Sequence, residues 1–444
     1  MKNHADALIV SPSKRSLLWL FVSERKQIAL MAEEKSPSRI SLRLLATKLL
    51  GNEVNMSYKV IDEIIKDAIS AGEIAGANCL AKQGGKELFY YQEGYADIEN
   101  RKLIERDTIF RLYSMTKPIT SAAVMLLAQD GKIDFLDPVG KYLDGFQNQS
   151  YLDGNKEKPL DYPMTIKDLL SMTSGLCYPG EANLTEEYTK VVFDKLTEGV
   201  NPESKYASYT TVAAMNDLGR KPLAFKPGSR WNYSAGADVL GALIEVVSGK
   251  PFSEFLSERI LEPLGMTDTG FYVPEEKQSR LAKSYELTSD GLFEYTGNHL
   301  AIQSRMKHKP SFESGGAGLC ATIDDYMRFM EMLINKGVYN GRRIMSERAV
   351  SYMTGGKLTS EQQPYMNWDS LEGYTYSNLL RVMEWPERST HFCTKGEYGW
   401  DGWLGVYMMN VPSENLSFVF MTQRTAAGTL PMIRKIKNAF YSIT

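Results

Sequence analysis

Histidine and cysteine are scarce in this chain, four of each among 444 residues. Cys79, Cys177, Cys320 and Cys393 lie far apart with no Cys-x-x-Cys pair, which argues against a zinc knuckle or a disulfide framework and reads as scattered thiols in a reducing, cytoplasmic setting. His4, His299, His308 and His391 show no His-Glu-x-x-His or comparable ligand spacing, so no metal centre and no cofactor is expected. Long apolar runs are missing too. The longest early stretch, Leu17 to Val22, gives way to Glu24, Arg25 and Lys26, far short of the roughly 20 apolar residues of a membrane-spanning helix. Neither charge dominates: 51 basic and 54 acidic side chains leave a net charge of −3, without the basic excess of a nucleic-acid binder.

What the chain does have is an apolar content of 43 %, enough for a large core in two or three structural units. Residues 1–57 carry nine basic and five acidic side chains and an amphipathic stretch from Ser36 to Leu50. They read as a poorly ordered extension, with an organelle-targeting segment as the alternative that Glu24, Glu33 and Glu34 oppose. From Val60 to Ile69 apolar residues recur at helical spacing, and Gly84-Gly85 between Ala77–Ala81 and Leu88–Tyr91 predicts a β-hairpin. An apolar helix is expected over Ile119–Gln129 and others at Ile166–Met172, Val239–Val247, Phe252–Ile260, Ile323–Ile334 and Leu430–Tyr441. Strands are expected at Leu379–Met383, Gly405–Val411 and Leu416–Thr422, while Cys177–Ala224 reads as irregular. Strands thus cluster at both ends and helices fill the middle. This predicts an α+β fold: an antiparallel sheet flanked by terminal helices, built from 58–131 and 311–444, with a mostly helical domain, 132–310, inserted.

Three segments carry candidate chemistry. Ser114-Met115-Thr116-Lys117 places a Ser-x-x-Lys where a strand-like segment turns into a helix, so that Lys117 can reach the Ser114 hydroxyl and free N–H groups of the helix start lie nearby. The spacing alone identifies nothing, since Ser11/Lys14, Ser23/Lys26 and Ser304/Lys307 repeat it, and Ser114 reads equally as an N-cap. Only Ser114 has an apolar flank, Phe110, Leu112 and Tyr113, ahead of an apolar helix. Next, Tyr233 follows the Pro227-Gly228 turn just ahead of a helix; it is either packing or, beside an ammonium, a phenol able to act as a base. Finally, Trp400-Asp401-Gly402-Trp403 precedes an apolar strand and is either a tight bend or an edge where a substrate approaches the backbone.

Taken in order, these segments resemble the serine β-lactamase and penicillin-binding-protein superfamily, in particular its esterase-like branch akin to class C β-lactamases. Phe110 to Thr120, Met164 to Leu176, Lys226 to Gly249, Glu262 to Phe271 and Gly315 to Thr322 all match that pattern, which spans roughly residues 58 to 440. The resemblance implies Ser114 as acylated nucleophile, Lys117 as its proton-transfer partner and Tyr233 as base, with the charge of Lys117 depressing the phenol. It implies an oxyanion hole from the N–H groups of Ser114 and Trp403, with Trp400, Gly402 and Trp403 bordering the substrate.

Two departures bear on substrate. Tyr233-Ser234-Ala235 stands where β-lactamases carry Tyr-x-Asn, and Trp400-Asp401-Gly402 where they carry Lys-Thr-Gly. Both disfavour β-lactams and free carboxylates, leaving small or medium uncharged esters, with Trp400 and Trp403 as an apolar wall. Acyl transfer to an alcohol or amine, weak β-lactamase or D-amino-peptidase action, and a catalytically silent binding scaffold are the alternatives. No Gly-x-Ser-x-Gly elbow occurs, and His391 reads as a surface loop residue.

Overall fold

The computed structural model describes residues 58–154 and 156–442, of which Ile61–Ser442 form one compact unit. The extension read for residues 1–57 lies outside the described residues. A first helix (α1, 58–70) leads into the hairpin β1 (Gly76–Gln83) and β2 (Lys86–Asp97). Gly84 and Gly85 both take positive φ, 55° and 78°, the conformation a two-residue turn needs to match the twist of its strands. The short β3 (Lys102–Leu103) follows, and α2 (Thr116–Gln129) begins three residues ahead of its expected start.

The middle is mainly helical. It holds α3 (Leu184–Gly199), α4 (Thr211–Gly219) and α5 (Gly236–Ser248), with two small hairpins, Ser150–Asp153 with Lys156–Pro159 and Tyr285–Thr288 with Gly291–Glu294. Two of these helices correct the reading of Cys177–Ala224 as irregular. The buried stripe of α3 contains Thr185 and Thr189 beside Val192, Phe193 and Leu196, so its hydrophobic period is weak. Its start was legible only as a cap: the Asn183 side chain accepts from Glu186 N, and Thr210 does the same for α4 from Ala213 N.

The C-terminal part supplies α6 (Ile323–Ile334), then β4 (Tyr374–Ser377), β5 (Leu380–Met383), β6 (Tyr398–Asp401), β7 (Tyr407–Val411) and β8 (Leu416–Met421), and ends in α7 (Pro431–Tyr441). The large sheet has the order β4-β5-β6-β7-β8-β1-β2-β3, with every neighbouring pair antiparallel. The two ends of the chain meet where β1 pairs with β8, Cys79 opposite Phe420. Residues of β7 and β8 are buried on both faces because helices cover both. Phe418 rests on Phe440 of α7, while Met408, on the opposite face, meets Tyr326 of α6. That is why these strands read as continuous apolar runs instead of alternating ones. The sheet, flanking helices and inserted helical region are the α+β architecture expected.

Candidate active site

Ser114 lies in a short 3-10 turn, Tyr113–Met115, between the strand pair Phe110–Arg111 with Cys320–Ala321 and the start of α2. Tyr113 has φ 44°, a left-handed conformation that costs a bulky residue on the order of 1 kcal/mol or more. Ile302, Ala317 and Leu404 pack around Tyr113 and hold it there. The serine is therefore presented by a backbone fixed on both sides.

Lys117 is 0 % exposed, and its ammonium donates to Ser114 Oγ at 3.1 Å, Tyr178 Oη at 2.9 Å and the Gly316 carbonyl at 2.9 Å. Tyr233 Oη donates to Ser114 Oγ at 2.7 Å across 119 residues of sequence. The indole N–H of Trp400 donates in turn to Tyr233 Oη at 3.3 Å. The three side chains singled out from the sequence thus converge, and the serine hydroxyl accepts from both of the others.

The electrostatics run opposite to the expectation. Burial lowers the Lys117 pKa to about 7, with Asp238 and Asp401 opposing the fall only in part. Burial likewise pushes the Tyr233 phenol upward, against the lowering effect of its hydrogen bonds with Ser114 and Trp400. Loss of hydration is the largest cause of both shifts. Near neutral pH the amine is therefore partly free base while the phenol stays protonated, so of the two it is the amine that has a deprotonated form available to accept a proton.

Two further residues complete the surroundings of Lys117. Buried Asp238 accepts from Ser314 Oγ at 2.5 Å and Gly316 N at 3.0 Å, which fixes the carbonyl that Lys117 contacts. The Tyr178 ring lies 5.4 Å from that of Tyr233. Sequence reasoning missed both; the one signal was an acid, Asp238, in the first turn of a mainly apolar helix.

The Trp400–Trp403 segment divides into different tasks. Trp400 is 1 % exposed and holds Tyr233, which corrects its reading as an open apolar wall. Gly402 abuts the segment that carries Ser114: a Cβ there would stand 2.3 Å from the Leu112 carbonyl oxygen, so only glycine allows this approach. Trp403 is half-buried, 5.0 Å from the Tyr113 ring and stacked on His299 at 4.0 Å. Among the described residues the backbone N–H groups of Ser114 and Trp403 donate to no partner. His391 also needs correction. It is half-buried against α7, with Nε2 2.8 Å from Lys437 Nζ and 3.2 Å from Tyr374 Oη, and burial and the Lys437 charge lower its pKa to about 3.

The Beta-lactamase family model matches residues 61–437. The chain belongs to the Beta-lactamase family. It is 32 % identical over 405 residues to Protein Rv1367c of Mycobacterium tuberculosis, covering 84 % of this chain and 94 % of that one. Esterase EstB of Burkholderia gladioli is 32 % identical over 288 residues, 62 % of this chain and 69 % of the relative. Among solved structures, "EstCE1, a hydrolase with promiscuous acyltransferase activity" superposes with a TM-score of 0.73 at 25 % identity, over 87 % of this chain and 99 % of that one. The protein is a serine hydrolase of the β-lactamase fold, as the resemblance implied.

Proposed function

We propose that the protein cleaves small or medium uncharged carboxylic esters through an acyl-enzyme on Ser114. The observation that carries this reading is the Ser114 hydroxyl within hydrogen-bond reach of both Lys117 Nζ, 3.1 Å, and Tyr233 Oη, 2.7 Å, in a site where burial leaves the amine able to take a proton near pH 7.

In acylation Ser114 Oγ attacks the ester carbonyl carbon, and the serine proton passes to unprotonated Lys117. The developing oxyanion takes the N–H groups of Ser114 and Trp403. As the bond to the alkoxide breaks, protonated Tyr233 supplies the leaving oxygen with a proton, and the proton taken from serine resets the Lys117–Tyr233 pair. Deacylation repeats the sequence with water as nucleophile. Acid and base thus belong to the pair as a unit, which titrates jointly.

Charge supports the choice of an uncharged substrate. Arg381, on the strand beside the Trp400–Trp403 segment, is 1 % exposed and bound to Asp401 at 2.7 Å, so it is not placed to meet a substrate carboxylate. The test is a set of p-nitrophenyl esters of increasing acyl length with nitrocefin alongside, together with a labelled fluorophosphonate. Wild type is expected to turn over esters well above nitrocefin and to be labelled, and Ser114→Ala to be silent in both assays. An unlabelled wild type would make the chain a binding scaffold. Likeness to EstCE1 favours a second reading, acyl transfer, which an ester product rising with added alcohol would reveal.

A further inference from the structure

A cavity of about 800 Å³ lies against the segment that leads into Tyr233, walled by Cys177, Ala224, Trp231, Asn232 and Tyr365 and by the start of α3. Its size is that of a site for a whole small organic molecule, far beyond a short acyl chain. The link to the chemistry is Trp231. This indole lines the cavity and also stacks on Tyr233 at 6.3 Å, and the exposed Trp368 stands edge-on to both rings at 5.4 and 5.2 Å. Trp231 is 4 % exposed, yet its indole N–H has no acceptor among the described residues. A buried donor left unpaired is costly, so the N–H calls for an acceptor brought by a ligand. Among the described residues the lining carries three carboxylates against a single cation, Arg230. The Arg230 guanidinium is bracketed by Phe225 at 5.1 Å and Tyr365 at 5.3 Å, while Asp153, Glu181 and Glu187 add negative charge. Anionic ligands are therefore disfavoured.

We infer that this cavity receives the alcohol portion of the ester, a neutral ring-bearing group with a carbonyl or ether oxygen that accepts from Trp231. The inference rests on the ester-hydrolase reading above. There the leaving oxygen must sit at the Tyr233 hydroxyl, so the alcohol extends from Tyr233 along the face of Trp231, whereas the acyl part stays on Ser114. The aromatic wall of Trp231 and Tyr365 then covers the ring, and binding energy from this remote part holds the ester for attack.

The experiment compares ethyl acetate, 4-benzoylbenzyl acetate and 4-benzylbenzyl acetate, the last two differing by a ketone against a methylene far from the reacting bond. Wild type is expected to show a KM at least about tenfold lower for the benzoyl ester than for ethyl acetate. The benzoyl ester should also bind severalfold more tightly than the benzyl ester, the effect of one neutral hydrogen bond. Ala224→Trp, which fills the cavity without touching the catalytic groups, should raise KM for both long esters about tenfold or more and leave ethyl acetate hydrolysis unchanged. If that variant loses ethyl acetate hydrolysis as well, Ala182→Trp at the exposed rim replaces it with the same expectation. Long-ester KM values unmoved by a folded, active variant overturn the cavity assignment alone. A wild type that hydrolyses none of the three overturns the ester reading and this inference with it.

Discussion

Proton affinity at Lys117 decides what the three central side chains can do. An amine whose pKa is lowered to about 7 by burial gains its free-base form as pH rises through that value, so kcat/KM for a neutral ester should climb across pH 6 to 8 and then level. A profile flat through that range would remove Lys117 as base. Tyr233→Phe keeps the ring packing against Trp231 and Trp400 but deletes the hydroxyl on Ser114, and should lower kcat about 100-fold or more while leaving the circular dichroism spectrum unchanged. In the proposed mechanism His299 is a positioning residue. It stacks on Trp403, whose N–H the proposed mechanism offers to the oxyanion, so His299→Ala should cut kcat about tenfold with KM nearly constant, and His299→Phe, which restores a stacking ring, should recover most of the loss.

At the scale of elements, α2, α5 and β6 each deliver one part of the site, and each is fixed by contacts distant from it. The start of α2 carries Lys117, α5 begins just after Tyr233, and the end of β6 abuts Leu112 through Gly402. The outer support is α7. Its Lys437 meets Glu397 at 2.7 Å with side-chain exposures of 1 % and 0 %, and Tyr374 and Tyr441 hydroxyls complete the carboxylate shell. Removing one member of such a buried pair leaves the other charge unpaired. Lys437→Met should therefore cost about 3–5 kcal/mol in chemical denaturation, whereas the double change Lys437→Met with Glu397→Gln should recover part of it.

For the whole molecule, burying a lysine at the centre of the site trades stability for chemistry. The pKa of Lys117 is about 7 folded but near 10.4 in an unfolded chain. Between those values the unfolded state binds more protons, so this group makes wild type gain stability as pH rises from 7 to 10. Lys117→Met lacks the effect. Its stability difference from wild type should be most favourable to the variant below pH 7 and shrink toward pH 10, read from urea midpoints at each pH. A difference constant with pH would place Lys117 at an ordinary, solvated pKa.

Local pattern was enough for much of this. Helical spacing set α6 and α7, the double glycine set the first hairpin, and Ser114, Lys117 and Tyr233 stood out because each sits at an element boundary, at or just ahead of the start of an apolar helix. The motif matches at Ser114 and Tyr233 carried the family as well. Tertiary structure alone decided the rest. The missed helix α3 hides its period behind buried threonines, and Asp238, Tyr178 and His299 matter only through partners remote in sequence. The proton affinities of Lys117 and Tyr233 belong here too: both have the same residue types whether wet or dry, and only folding removes the water that would have kept the amine charged. Sequence names the groups present, but hydration, which sets their proton affinities, is a property of the packed molecule.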